Sequence, residues 1–237
     1  MIDIAVLVAG AALPAVVLLV LFYRADRARP EPLGLLGKSV LYGFLATIPA
    51  IGLELIVDIP ASVMPGMLGI LWTSFITAAA VEEGVKYFFL KRYLLHNPAF
   101  NEVMDGIVYA ACVSLGFAFA ENLMYGLEGG LVLVFRAFTA VPMHAAATGI
   151  MGFYLGMSKR VGDHKEAIAC RRKGFWAAML VHGLYDFFLF SGFPLLLGAI
   201  ATLFVAVRIL RSLIRKARHI DDAAAIRSAA SDAWSST

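Results

Sequence analysis

Glu82, Glu83, Lys86, Glu121, His144, His182 and Asp186 fall inside stretches of chain that are otherwise almost wholly apolar. A charged side chain at mid-bilayer costs roughly 3 kcal/mol on insertion scales, so together these groups carry a gross penalty on the order of 10–20 kcal/mol. Such a penalty is tolerated when the groups face one another, pair, or bind something. Their types suit chemistry. A buried carboxylate can take a proton from water, and an imidazole can donate one or ligate a metal.

Helical spacing sorts these residues into groups. Glu82 and Lys86 are i,i+4, with the Glu on the N-terminal side, the better order for an ion pair. Glu83 is turned about 100° from Glu82 and can point elsewhere. His182 and Asp186 are also i,i+4, so the aspartate can orient the imidazole and hold one tautomer. Phe117 and Glu121 share a face, and Asn122 follows. His144 comes two residues after Pro142, which is expected to kink its helix. At a rise of about 1.5 Å per residue, Glu82 and His182 lie about 13 Å from the basic ends of their helices, Asp186 about 20 Å, His144 about 22 Å and Glu121 about 24 Å. Four helices thus bring acids and imidazoles to one band, with Glu121 the outlier. One intramembrane His or Glu is often a satisfied packing residue. Two His, three Glu and one Asp converging from four helices are harder to reduce to packing.

The elements that must carry them are membrane helices. The chain has 237 residues, 61% of them hydrophobic and only 16% charged, with a mean hydropathy of +0.81. An average soluble domain is about half apolar and a quarter charged, so a soluble globular fold is excluded. Seven segments are long and apolar enough to span a bilayer: 4–23, 39–57, 66–90, 105–125, 131–157, 174–190 and 193–207. The first lacks a basic leader and is read as a retained anchor. Of the 20 Lys and Arg, 18 lie in segments 24–38, 91–104, 158–173 and the C-terminal part, and none lies in 58–65, 126–130 or 191–192. Seven spans, with the N-terminus outside and the C-terminus cytoplasmic, satisfy the positive-inside rule at every loop. The expectation is one all-α membrane domain, 1–218, followed by a mobile cytoplasmic tail, 219–237. Lys86 and Arg136, the two cations left within spans, are expected to snorkel towards the interfaces, and Glu54 to sit interfacially with Asp58. Ala145, Gly149, Gly152 and Gly156 are read as a close-packing stripe. Two cysteines, Cys112 and Cys170, make no disulfide framework. No basic patch interleaved with aromatics points to nucleic acid.

Four motifs carry a resemblance. They are Glu82-Glu83-Gly84-Val85-Lys86, Phe117-Ala118-Phe119-Ala120-Glu121-Asn122, Pro142-Met143-His144, and His182-Gly183-Leu184-Tyr185-Asp186. Their order and spacing, over about residues 30–210, resemble the PrsW family of intramembrane proteases, part of the larger group that includes the type II CAAX prenyl proteases. The resemblance implies a multi-pass endopeptidase of the bacterial plasma membrane. Its substrate would be a membrane-anchored protein of the anti-sigma factor type, cut on its outer side. CAAX-type relatives differ. There the double Glu is followed by Arg at a spacing one longer, His stands in place of Glu121, and Asn in place of Asp186.

The chemistry expected is attack of water on a peptide carbonyl. Glu82 is the first choice as general base, supported by Glu83 and Lys86. His182, held by Asp186, would stabilise the oxyanion or donate to the leaving amine, and His144 and Glu121 would complete the site. In a metal-dependent version, His144, His182 and one of Glu83 or Glu121 would hold Zn²⁺ or another divalent ion with a position open to water. No His-Glu-x-x-His segment occurs, and the metal-dependent and metal-free routes both stay open. The rivals from other classes are a proton-coupled transporter, since midplane acids and His serve proton relays, and a non-catalytic scaffold locked by the same residues. Inverted repeats or paired broken helices, the usual marks of a transporter, are not evident.

The Lys/Arg pattern yields a first prediction. Reporter fusions after Arg160 and after Arg218 should both read cytoplasmic, and an outside reading at either site rejects the topology.

Overall fold

The computed structural model describes residues 3–26 and 28–235, with side chains described as far as residue 231. Every regular element among them is helical. Helix α1 (Ile4–Ala25) starts at Asp3, whose carboxylate accepts the Ala5 N–H at 2.7 Å. This side-chain oxygen replaces a partner the first turn lacks. Helix α2 (Leu33–Val57) follows. A continuous rod then runs from Gly66 to Leu94. It is built of α3 (Gly66–Trp72), a π-helical stretch (Thr73–Ala80), α4 (Val81–Phe89) and a second π turn (Leu90–Leu94). Next come α5 (Val103–Tyr125), α6 (Gly130–Phe138), α7 (Ala140–Ser158), α8 (His164–Phe190) and α9 (Leu196–Ser235).

Helix α5 is the axis of the bundle: 94% of its most apolar window is buried. Helices α2 and α7 make the most extensive contacts with it, and α8 packs against α7 and the π-helical stretch. The outward faces of α1, α2 and α9 present Leu13, Val17, Ile48, Leu55, Leu197 and Phe204. An apolar exterior with the charged groups turned inward is the arrangement a lipid solvent demands.

Two glycine contacts set how closely the helices approach. A Cβ on Gly106 or Gly152 would overlap the other's backbone carbonyl across the α5–α7 interface, and one on Gly156 would press on Val103. Across α2–α5, a Cβ on Gly43 would strike the Val113 carbonyl and one on Gly116 the Val40 carbonyl. Small residues at such crossings let backbones touch where no hydrophobic force joins helices. The stripe in α7 splits its duties: Gly152 and Gly156 meet α5, while Gly149 faces Leu210 of α9.

Three features differ from the sequence reading. Six stretches are long and apolar enough to cross a membrane: Ile4–Ala25, Leu33–Val63, Gly66–Leu94, Val103–Tyr125, Gly130–Ser158 and Phe193–Ser231. The remaining expected span, 174–190 within α8, is not among these six: the helix opens with charged residues and carries His182 and Asp186. Next, segment 131–157 is two helices. The chain breaks at Thr139 (φ −123°, ψ −71°), which places Pro142 in the first turn of α7, where its missing N–H costs nothing. Finally, the segment after Arg218 continues α9 as helix to Ser235. Within it Asp221 is buried and caps α5, accepting the Val103 and Met104 N–H groups at 3.0 and 2.9 Å.

Gly152→Val should therefore force α5 and α7 apart and destabilise the bundle by about 1–3 kcal/mol or more. Gly34→Ala, with nothing within 4 Å of the added carbon, should leave the unfolding midpoint of the detergent-solubilised protein unchanged. Equal midpoints for the two variants would refute the close-approach role.

Candidate active site

Four helices deliver the polar residues. Glu82, Glu83 and Lys86 lie in α4, immediately after the π-helical stretch. Such a stretch turns the following residues relative to the preceding helix, and π segments are frequent at functional sites. Phe117, Glu121 and Asn122 lie near the end of α5. His144 and Thr148 share one face of α7, and His182 and Asp186 one face of α8. Glu82, Glu83, Lys86, His144, His182 and Asp186 are all buried.

Lys86 sits at the centre. Its ammonium donates to Glu82 Oε2 at 3.1 Å, to Glu83 Oε1 at 3.0 Å and to His144 Nδ1 at 3.1 Å. It also stands 4.1 Å from the centre of the Phe117 ring. Its side chain is fully buried, so the expectation that it snorkels is overturned. Three acceptors and an aromatic face inside the bundle outweigh an extended reach to the interface.

The partners fix the histidine tautomers. An ammonium only donates, so His144 Nδ1 accepts and its Nε2 carries the proton, 2.6 Å from Glu121 Oε2. The Glu83 carboxylate only accepts, so His182 Nδ1–H donates to it, at 3.0 Å. His182 Nε2 then lies 3.1 Å from Asp186 Oδ2 and 3.9 Å from Glu82 Oε2. His144 Nδ1 lies 3.8 Å from the same Glu82 oxygen. The two rings meet edge to face with centroids 4.9 Å apart. Each imidazole is thus held from outside by a carboxylate, and its inner nitrogen faces Glu82.

The two adjacent glutamates have different surroundings. Glu83 Oε1 takes Lys86 and His182, and Oε2 takes the Thr148 hydroxyl at 2.9 Å. Thr148 in turn lies 3.0 Å from Ser114 Oγ. Glu82 receives one hydrogen bond among the described residues, from Lys86 to Oε2.

Glu121 is level with the others, despite its estimated depth. The break at Thr139 starts α7 late, so His144 stands one turn inside it and opposite the end of α5. Arg136 is not snorkelled either. It donates from Nε to Asn122 Oδ1 at 2.7 Å, pairs with Glu121 at 3.3 Å and stacks on Tyr125. Asp58 accepts hydrogen bonds from Thr73 and Thr77, each at 2.9 Å. With the half-buried Glu54 it lines a cleft of about 500 Å³ at that end of the bundle. Thr148, Ser114 and the roles of Asn122 and Arg136 were absent from the sequence reading. Thr148 alone left a signal, being i,i+4 from His144.

The chemistry of the donor set bears on a metal. One donor atom each from Glu82, His144 and His182 lie within 4.8 Å of one another, all buried. Two imidazoles and a carboxylate are a set that suits a catalytic zinc, and the outer carboxylates supply the support such histidines need. In the structure Glu82, rather than Glu83 or Glu121, completes the trio with the two histidines.

Comparison with known proteins gives a consistent result. Residues 31–211 match the family described as PrsW family intramembrane metalloprotease. The chain is 35% identical over 190 residues to Protease PrsW of Geobacillus kaustophilus, covering 78% of this chain and 80% of that one. It is 34% identical over 186 residues to Protease PrsW of Bacillus subtilis, with 78% and 83% covered. It is 33% identical over 173 residues to Protease PrsW of Clostridioides difficile, with 69% and 71% covered. No solved structure matches.

Thr148→Val should leave a fully buried Glu83 oxygen without its donor and cost about 1–3 kcal/mol of stability. Thr148→Ser should restore most of it. Unfolding midpoints in detergent check this; no difference between the two variants would show that the hydroxyl is not needed.

Proposed function

The chain belongs to the PrsW family of intramembrane proteases, and we propose that Glu82, His144 and His182 form the centre at which it cuts peptide bonds. The observation that carries the proposal is that His144 Nδ1 and His182 Nε2 both face one Glu82 oxygen, at 3.8 and 3.9 Å. The other Glu82 oxygen makes no hydrogen bond with the described residues and is the acceptor for the proton of the attacking water. His182, gripped by Glu83 at Nδ1 and by Asp186 at Nε2, stabilises the developing oxyanion and then supplies the proton to the leaving amine. Lys86 offsets the carboxylates' charge, and Glu121 holds the His144 ring. In the metal-dependent alternative, the Glu82–His144–His182 set would hold Zn²⁺ in place of these proton-transfer roles. A zinc ion there would supply Lewis-acid polarisation of the scissile carbonyl.

The substrate we propose is a membrane-anchored protein of the anti-sigma factor type, cut near the outer side of a bacterial plasma membrane. Two observations support the side. The Lys/Arg distribution puts the α2–α3 connection outside. The cleft there is lined by Glu54, Asp58 and Thr77, and Thr77 stands five residues, one π turn, from Glu82. Seven crossings with α8 as the sixth, N-terminus outside, complete this topology. The apolar half of α8 after Lys173 crosses the bilayer, its polar groups turned onto Glu82 and Glu83.

The test uses purified protein and a panel of single-span substrates, with and without chelator. Glu82→Gln keeps shape and should abolish cleavage while the protein still accumulates. Asp186→Asn should cut partially and His182→Ala almost not at all. The double variant should be no worse than His182→Ala, because residues acting as a unit are non-additive. Glu82→Gln and His182→Ala should also lower bound zinc by elemental analysis. Wild-type cleavage by Glu82→Gln, or by His182→Ala, rejects this centre.

A further inference from the structure

A second cluster lies at the opposite, basic end of the bundle. Asp26 ends α1, Glu31 precedes α2, and Asp105 sits in the first turn of α5. One carboxylate oxygen from each lies within 4.8 Å of the others, and all three residues are buried. Along α5, Asp105 is 16 residues from Glu121, about 24 Å at the helical rise, so the cluster is separate from the catalytic centre.

Its oxygens are unevenly satisfied. Asp105 Oδ2 accepts the N–H groups of Asn101 and Glu102, at 2.7 and 2.6 Å, which fixes the carboxylate. Its other oxygen, Oδ1, is buried and has no hydrogen-bond partner among the described residues; the same holds for Asp26 Oδ2. Glu31 accepts from the Tyr109 hydroxyl. Arg29 pairs with Glu102 and Asp222, Arg160 with Asp221, and Arg218 donates to the Ala25 carbonyl. No ion pair among the described residues reaches Asp26, Glu31 or Asp105.

We propose that Asp26, Glu31 and Asp105 form a site for a hard divalent cation of the Ca²⁺ or Mg²⁺ type. Three like charges this close need a counter-charge, and an all-oxygen set selects a hard ion. Buried acceptors with no donor are rare in native structures and call for a missing partner. A cation held among the three carboxylates supplies the counter-charge they lack. Protons are the competing remedy. Burial first, then the Asp105 and Glu102 charges, push the Asp26 carboxyl up to about 7. Burial pushes Glu31 up to about 8, against the lowering effect of the Tyr109 hydrogen bond. A proton on Glu31 can be shared with Asp105, but it leaves Asp26 Oδ2 without a partner. Asp26 also lines a cavity of about 400 Å³, where Glu102, Asp221 and Asp222 stand among Arg24, Arg29 and Arg218. The bound ion would clamp the α1–α2 connection to the base of α5.

The test is terbium luminescence on the purified, chelator-washed full chain, with Tb³⁺ standing in for Ca²⁺. Tyr109 touches Glu31, so tyrosine excitation should sensitise bound Tb³⁺, and Ca²⁺ should displace it. Asp26→Asn and Glu31→Gln should weaken Tb³⁺ binding at least about tenfold, and Glu82→Gln should leave it unchanged. Ca²⁺ should also raise the unfolding midpoint of the wild type, since a ligand of the folded state stabilises it. Absent emission in the wild type overturns the proposal even if the variants fail to fold. Emission lost with Glu82→Gln but kept with Asp26→Asn assigns the ion to the catalytic centre and overturns it too. A midpoint indifferent to Ca²⁺ but raised by Glu31→Gln shows a shared proton instead.

Discussion

The structure depends on one fully buried ammonium. Lys86 is fully buried and must be neutralised where it stands. Its three acceptors come from α4 and α7, and its aromatic floor from α5. Through Glu83 the same charge is tied to Thr148 on α7 and His182 on α8. Four helices are thus held in register by a single buried pair and its neighbours. Taking away one partner of such a pair strands a charge in low dielectric, which is strongly destabilising, whereas a well-packed apolar substitute for the whole set often costs nothing. Stability alone therefore gives no reason to keep it. Its chemistry does.

Electrostatics can act at these distances because the backbones come close. The contacts of Gly106 with Gly152, of Gly43 with Val113 and of Gly116 with Val40 draw α7 and α2 against α5. Short side chains such as Ser114 and Thr148 can then bridge helices directly. Two irregularities aim the residues. The π-helical stretch before Val81 sets the rotation of Glu82 and Glu83, and the break at Thr139 sets the height of His144. Both are departures from the regular helix where it passes the site.

What was legible beforehand follows from which interactions are local. The pairs Glu82–Lys86 and His182–Asp186 lie one turn apart on a helix, and periodicity exposes them. Phe117 and Glu121 were visible as one face, without their partners. Lys86 and Arg136 were misread because distance to a helix end is a local measure. Whether a long cation snorkels depends on acceptors that other helices supply: Glu83 and His144 for Lys86, Glu121 and Asn122 for Arg136. The break at Thr139 was misplaced onto Pro142, since proline marks a boundary without saying on which side of it the helix starts. Asp221, 118 residues from the N–H it caps, lay beyond any spacing rule.

The adjacent glutamates show how one dipeptide can divide two tasks. Successive residues on a helix point about 100° apart, so the pair cannot share surroundings. Glu83 turns into the bundle, where Lys86, His182 and Thr148 occupy both oxygens. To accept a further proton it would have to surrender a partner, and the freed charge or dipole would be left in a medium without water. Glu82 turns towards the imidazoles and keeps an oxygen unengaged. The saturated carboxylate is suited to holding the ammonium and one ring still, and the unsaturated one to exchanging a proton with water. A buried pair of identical side chains thereby acquires unlike roles from the number of donors each one meets.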